Sequence, residues 1–146
     1  MAAETDPVAA WAALLRVHAA VVPKLASELA AHGLPLAWYD VLLVLNAAPG
    51  RRLRMTELGS RAVLSRERVS RVVTELERAG LVRREANPED GRSSFAAVTT
   101  EGRARLRQAA PAYLSGIQEH FLDHLGAGDV RTLVRALGRV VAAEEG

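Results

Sequence analysis

The sequence predicts a mainly α-helical fold carrying one small β-hairpin, and three observations predict it. Nearly half of the 146 residues are hydrophobic (49%) but only 4% are aromatic, so burial has to come from helix faces lined by Ala, Leu and Val. Apolar residues recur at spacings of three and four through most of the chain. Only between Leu81 and Thr99 does that period give way to two short β-prone runs separated by an Asn-Pro-Glu-Asp-Gly segment. At this length a single domain over 1–146 is expected, with no room for a catalytic domain beside it.

The first helix is expected over Val8–Ala31, where Trp11, Leu15, His18, Val22, Leu25 and Leu29 form one ridge and Leu14, Val17 and Val21 an adjacent one. Pro23 cannot donate to the carbonyl of Ala19 and predicts a kink, and Gly33 ends the helix. Leu36–Ala47, with Trp38, Tyr39 and the run Val41–Leu45, is apolar almost all round, as suits a buried central helix, and Pro49-Gly50 stops it. Thr56 can cap a short helix reaching Val63. Ser65 can cap a second, whose inner face is Val69, Val72, Val73 and Leu76 and whose C′ residue is Gly80. Leu81–Ala86 and Phe95–Thr99 read as strands joined by an eight-residue loop, and a third short strand is expected around Leu53. Thr99 or Thr100 can cap a long helix running to about Leu125, with Leu106, Ala110, Tyr113, Ile117 and His120 or Phe121 on one side and a kink at Pro111. Gly126 and Gly128 break it. Asp129 then caps a last helix with Val130, Leu133, Val134, Leu137, Val140 and Val141 on one face.

Two short helices joined by a tight turn, the second amphipathic with a basic N-terminal half, make a helix-turn-helix, and the hairpin that follows is a wing. This winged helix-turn-helix unit spans 36–99, with the wing at 81–99, and is flanked by long helices at 8–34 and 100–146. The flanking helices hold more apolar surface than so small a unit can cover, which predicts dimerisation. On the second short helix Glu67, Arg71, Thr74 and Arg78 fall opposite the apolar stripe, with Arg68 and Ser70 on its flanks. The net charge is only +2, yet between Arg51 and Arg71 seven arginines face two glutamates, a local surplus of five positive charges. Such a patch on a nearly neutral chain is what binding a polyanion at one surface requires.

Composition also excludes. With no cysteine there is no disulfide, thiolate metal site or thiol switch. No long apolar run is uninterrupted, and the first residues carry Glu4 and Asp6 where a signal peptide would be basic, so a cytoplasmic protein with no membrane partner is expected. No nucleophile elbow, Gly-rich phosphate loop or metalloprotease motif occurs, which argues against an enzyme. His120 and His124, at i and i+4 with Asp123 beside them, have a spacing that can hold a metal in a zinc-responsive regulator. A structural site wants about four ligands, so no metal and no cofactor is expected. A winged-helix module that binds proteins instead of DNA is the remaining alternative, disfavoured by the arginine cluster.

The order of these parts resembles the MarR family of winged helix-turn-helix transcription regulators over Val8–Ala143. The likeness is carried by Trp38-Tyr39-Asp40-Val41-Leu42, Thr56-Glu57-Leu58, Leu64-Ser65, Val69-Ser70-Arg71-Val72-Val73, Leu76-Glu77-Arg78-Ala79-Gly80-Leu81-Val82, the Asn87-Pro88-Glu89-Asp90-Gly91-Arg92 wing and Val98-Thr99-Thr100-Glu101-Gly102. The resemblance implies a homodimeric regulator, a repressor in the first instance, whose interlocked terminal helices place two recognition helices in successive major grooves of a pseudo-palindromic operator, roughly 34 Å apart. It further implies that Arg92 is the wing-tip arginine entering the minor groove, held by its negative potential, with Asp90 bracing the wing. The family often has a second basic residue where Gly91 stands, which leaves Arg92 more of the wing's affinity.

On this reading Arg66, Ser70, Arg71 and Thr74 serve as base-edge or neighbouring phosphate contacts, with Ser65 meeting a phosphate at a helix N-terminus. Arg54, Thr56, Arg68, Arg92 and Ser93 complete the expected DNA-binding set. The resemblance also implies a small aromatic or anionic effector. Trp11, His18, Trp38, Tyr39 and Tyr113 are candidates to line its pocket, although aromatic residues at helical spacing are more often core.

Overall fold

In the computed structural model, which describes residues 5–146, six helices and a three-stranded antiparallel sheet follow the order α1 (Pro7–Ala30), α2 (Leu36–Ala47), β1 (Arg52–Arg54), α3 (Met55–Arg61), α4 (Arg66–Arg78), β2 (Val82–Ala86), β3 (Ser94–Val98), α5 (Thr100–His120) and α6 (Ala127–Glu145). Glu4, part of the acidic start, lies outside the described residues. The chain forms two compact units, one of Ala26–Ala112 and one of the residues up to Leu25 together with Tyr113–Gly146. The first therefore includes the end of α1 and the first half of α5 as well as the expected 36–99 segment.

Within the Ala26–Ala112 unit the core is aliphatic. Leu29, Leu34, Val41, Leu42, Leu45, Leu58, Val73, Leu76 and Ala96 are fully buried, and Tyr39 nearly so. α1 and α4 are each closed by a glycine of positive φ, Gly33 (φ 69°) and Gly80 (φ 76°). In each case the following N–H closes back on the last helical turn, Leu34 to the Leu29 carbonyl at 3.2 Å and Leu81 to the Leu76 carbonyl at 2.9 Å. The Arg105 guanidinium adds a bond to the Gly33 carbonyl at 3.1 Å. The sheet order is β1-β3-β2, so the third strand expected near Leu53 is present and pairs with β3, Leu53 opposite Ala96.

Thr99 is the hinge between sheet and α5. Its Oγ1 donates to the Gly80 carbonyl at 2.7 Å and accepts from the Gly102 N–H at 3.0 Å, which is N-cap geometry. Gly102 sits so close to the strand that a Cβ there would run into the Leu81 carbonyl oxygen.

Three local expectations are corrected. Thr56 lies inside the first turn of α3 and does not cap it. The strand residue Arg54, extended at φ −61°, ψ 146°, leads straight into the helix, which ends at Arg61 and not Val63. Pro23 and Pro111, by contrast, break neither helix, and α1 and α5 continue through them as a kink without a break allows. α5 stops at His120, because Phe121 leaves helical geometry (φ −132°, ψ −63°) and a 3₁₀ turn, Leu122–His124, follows. α6 begins at Ala127 with Gly126 as N-cap, and Asp129 reaches back from inside the first turn to accept the Gly126 N–H at 2.9 Å.

The second unit is mostly helix and mostly exposed. Val8, Trp11, Leu15, Leu114, Val134, Val140 and Val141 each expose more than half their surface, Val134 reaching 71%. α1 is long and apolar enough by length and composition to cross a membrane, with a mean hydropathy of 1.4 over its most apolar stretch. Arg16 and Lys24 interrupt that stretch, so the sequence holds no unbroken apolar run there.

Candidate nucleic-acid interface

α4 presents its basic face because its other face has no alternative. Val69, Val72, Val73 and Leu76 lie within 5% exposure or less and pack the helix toward α2, α3 and β2. Burying four such side chains contributes on the order of 1.5–3 kcal/mol each. This fixes the helix's rotation about its own axis. Arg66, Arg68, Ser70 and Arg71 are consequently exposed, as are Arg54 and Thr56 on the neighbouring strand and helix. Ser65 caps the helix as expected, its Oγ accepting the Arg68 N–H at 3.3 Å.

Thr56, Arg66 and Ser70 meet with Met55, Gly59, Val69 and Arg84 around one concavity of about 270 Å³. Arg68 and Arg71 line a second, of about 260 Å³, with Trp38 and Glu75. The predicted major-groove set is thus brought together on one helix and its flank. Besides the capping Ser65, the hydroxyls of Thr74 and of Ser93 on the wing, both in the wider DNA-binding set, are engaged within the protein. Thr74 Oγ1 donates to the Ser70 carbonyl at 3.0 Å and accepts from Arg84 Nη2 at 2.8 Å. Ser93 Oγ accepts from Asn87 Nδ2 at 2.9 Å and donates to the Asp90 carbonyl at 3.3 Å.

The wing is built by its own short polar side chains. Asn87, buried to 5% exposure, accepts the Glu89 N–H at 3.0 Å, and Asp90 Oδ1 accepts the Arg92 N–H at 3.0 Å, bracing the tip from which Arg92 projects into solvent. At the wing base the sheet's outer face carries an ion network. Glu85 meets Arg52 at 3.0 Å and Arg83 at 2.9 Å, and Arg52 stacks 4.5 Å over the Phe95 ring. Hydrogen bonds from Arg52 and then Arg83 hold the Glu85 carboxyl below its usual range. On α2, burial pushes Asp40 above the usual carboxylate range.

Sequence reasoning missed Arg84, Arg52, Glu85 and Phe95. Period-two alternation was the available signal for Arg84, since on β2 it shares a face with the buried Val82. Asn87 was read only as a loop residue.

The aromatic candidates divide. Trp11, His18 and Tyr113 belong to one unit, Trp38 and Tyr39 to the other. Tyr39 is core at 2% exposure, and Trp38 lines the second concavity, where its indole N–H donates to Glu75 at 2.8 Å. In the other unit a cleft of about 500 Å³ is lined by Arg16, Val17, Val21, His120, Phe121 and His124 among others, and by none of Trp11, His18 or Tyr113. His120 and His124 do not have the helical i, i+4 relation that made them metal candidates, because the helix breaks between them.

A buried-faced second helix with an exposed basic side, followed by an arginine-tipped antiparallel hairpin, defines a winged helix-turn-helix DNA-binding protein. Comparison with known proteins agrees. The MarR family model matches residues 32–93. The chain is 33% identical to the HTH-type transcriptional repressor Rv2887 of Mycobacterium tuberculosis over 127 residues, 87% of this chain and 89% of that protein. It is also 33% identical over 97 residues to the repressor YetL of Bacillus subtilis, a match that covers 64% of this chain and spans 58% of YetL. Its fold is similar to that of Sco3205 of Streptomyces coelicolor, a MarR-family transcriptional regulator solved in complex with DNA (TM-score 0.83, 35% identity, 91% of this chain and 83% of that one). The chain belongs to the MarR family, and it is a DNA-binding transcriptional regulator.

Proposed function

We propose that this chain is a repressor that binds a pseudo-palindromic operator as a homodimer in the cytoplasm, and that a small aromatic or anionic effector releases it. The observation that carries the reading is the placement of Arg66, Arg68, Ser70 and Arg71 on the exposed side of a helix whose rotation is held by four buried apolar residues. α4 enters the major groove, Ser65 meets a phosphate at the helix N-terminus, and Arg92 reaches the minor groove. Repression is supported by the chain's similarity to the transcriptional repressors Rv2887 and YetL. Dimerisation is supported by the row of large exposed apolar side chains on α1, α5 and α6, more than a soluble monomer leaves bare. Covering them with a second copy also accounts for the apolar length of α1. For the effector, the concavity of Trp38, Arg68, Arg71 and Glu75 sets two cations against one carboxylate, which is tied to the indole N–H, beside a flat ring, a balance that suits an aromatic anion. A ligand there acts only by binding the DNA-competent and incompetent forms with different affinity.

The test is a salt-series titration against the duplex upstream of the chain's own gene and a scrambled duplex of equal length, with the mass of the free protein measured in parallel. A dimer that prefers the upstream duplex and loses affinity steeply with salt is expected. A monomer, or equal weak affinity for both duplexes and for operators selected from a random pool, contradicts the proposal.

A further inference from the structure

We propose that Arg84 is a positioning residue, a clamp that sets the angle of the wing against α4 and so decides whether Arg92 reaches DNA, without contacting DNA itself. Arg84 grips one stripe of the recognition helix at three points. Its Nη2 lies 2.8 Å from Thr74 Oγ1 and 3.5 Å from the Ser70 carbonyl. Its Nε lies 3.7 Å from Glu77 Oε1. Its backbone N–H donates to Glu77 Oε2 at 3.3 Å. Ser70, Thr74 and Glu77 stand at i, i+4 and i+7 and therefore share a helix face.

The direction of each bond follows from the groups present. A guanidinium only donates, so Thr74 Oγ1 must accept from it, and the single hydroxyl proton is then committed to the Ser70 carbonyl. Thr74 is thereby left as part of the clamp and not as a base reader. A planar fork held at several points constrains orientation as well as distance, which a lysine in the same place does not. β2 carries this constraint to the hairpin, where Arg84 pairs across to Ala96 and the tip bearing Arg92 follows. Among the described residues the ion pairs on the sheet's opposite face, of Arg52, Glu85 and Arg83, stay within the sheet, and the side-chain hydrogen bonds between β2 and α4 are those of Arg84, added to the apolar packing of Val82.

The inference rests on the reading of Arg92 as a wing contact, and the experiment separates the two. Affinities and salt slopes are measured for the wild-type dimer, Arg84→Met, Arg92→Ala and the double variant on a duplex selected for tight binding from a random-sequence pool. Arg92→Ala is expected to weaken wild-type binding about tenfold, and to cost about twofold or less once Arg84 is gone. The salt slope should fall by about one in each single variant and by about one, not two, in the double variant. Thr74→Val, which removes the acceptor without altering charge, should reproduce the loss of coupling, and Thr74→Ser should restore it. Thr74→Val carries the test alone if Arg84→Met does not fold. An Arg92→Ala cost that is the same in every background overturns the clamp, and a slope that falls by two in the double variant makes Arg84 a phosphate contact instead. No effect of Arg92→Ala in the wild-type chain overturns the wing reading and the clamp with it.

Discussion

Ser65 serves two roles that substitution can pull apart. Its Oγ caps α4 through the Arg68 N–H at 3.3 Å, and its position at the helix N-terminus beside Arg66 and Arg68 puts it where a phosphate is expected to sit. Ser65→Ala deletes the cap, which costs about 1 kcal/mol, and the long hydrogen bond places the loss toward the lower half of the usual ~0.5–2 kcal/mol range. In a cooperative unit of this size about 1 kcal/mol corresponds to a fall of roughly 4–8 °C in melting temperature. Ser65→Asp keeps an oxygen in capping position and adds a negative charge that favours the helix N-terminus by about 0.3–1 kcal/mol, so the free protein should melt at or slightly above the wild-type temperature. On DNA the same carboxylate faces phosphate, and losing a charge-assisted hydrogen bond worth about 1.5–3 kcal/mol predicts a drop in affinity of about ten- to a hundredfold. The assay is thermal melting followed by anisotropy titration of the three proteins on one duplex. Ser65→Asp binding as tightly as wild type would show that no phosphate lies at the head of α4, and an unchanged melting temperature for Ser65→Ala would show that the cap contributes nothing.

Three further outcomes are expected. Arg71→Ala, exposed on the reading face of α4, should relax discrimination between selected and scrambled duplex by about 1–3 kcal/mol, read as a narrowed ratio of dissociation constants; an unchanged ratio removes Arg71 from base reading. Gly102→Ala drives a Cβ into the Leu81 carbonyl and must displace either β2 or the start of α5, so urea unfolding should give a lower midpoint and an unfolding free energy reduced by at least about 1–3 kcal/mol, and full stability would contradict the close approach. Asp40 is held above the usual carboxylate range by burial, so the folded state favours its protonated form. That contribution is fully present below the unfolded value and lost as pH rises through the folded one. Asp40→Asn should therefore be more stable than wild type at pH 7 and equal to it in acid, as followed by melting temperature across pH; a constant difference at all pH values would deny the buried titration.

Local chemistry was legible in the sequence where a residue needs only its near neighbours to act. Ser65 caps and Gly80 closes α4 because both operate within one helical turn, and the inner stripe of Val69, Val72, Val73 and Leu76 follows from period alone. The same holds for Asp90, which braces Arg92 two residues away. Reading Thr56 as a cap failed because β1 occupies the preceding residues and delivers an extended Arg54 directly to the helix. The helix break at Phe121 carried no Gly or Pro to announce it, and with it went the geometric basis of the His120 and His124 pair.

The sequence by itself determined the family, the helix-turn-helix and wing, and which side of α4 is basic, since these depend on periodicity, capping residues and turn residues that act over a few positions. Tertiary structure alone decided which basic and polar groups are available to DNA. Thr74 and Arg84 lie ten positions apart and meet because β2 folds back along α4, and Arg52 joins Glu85 and Phe95 because β1 pairs with β3 from the far side of the helix-turn-helix. A side chain's partner across a fold is set by how elements cross, and that information is spread over the whole packed core, not held at the residue itself.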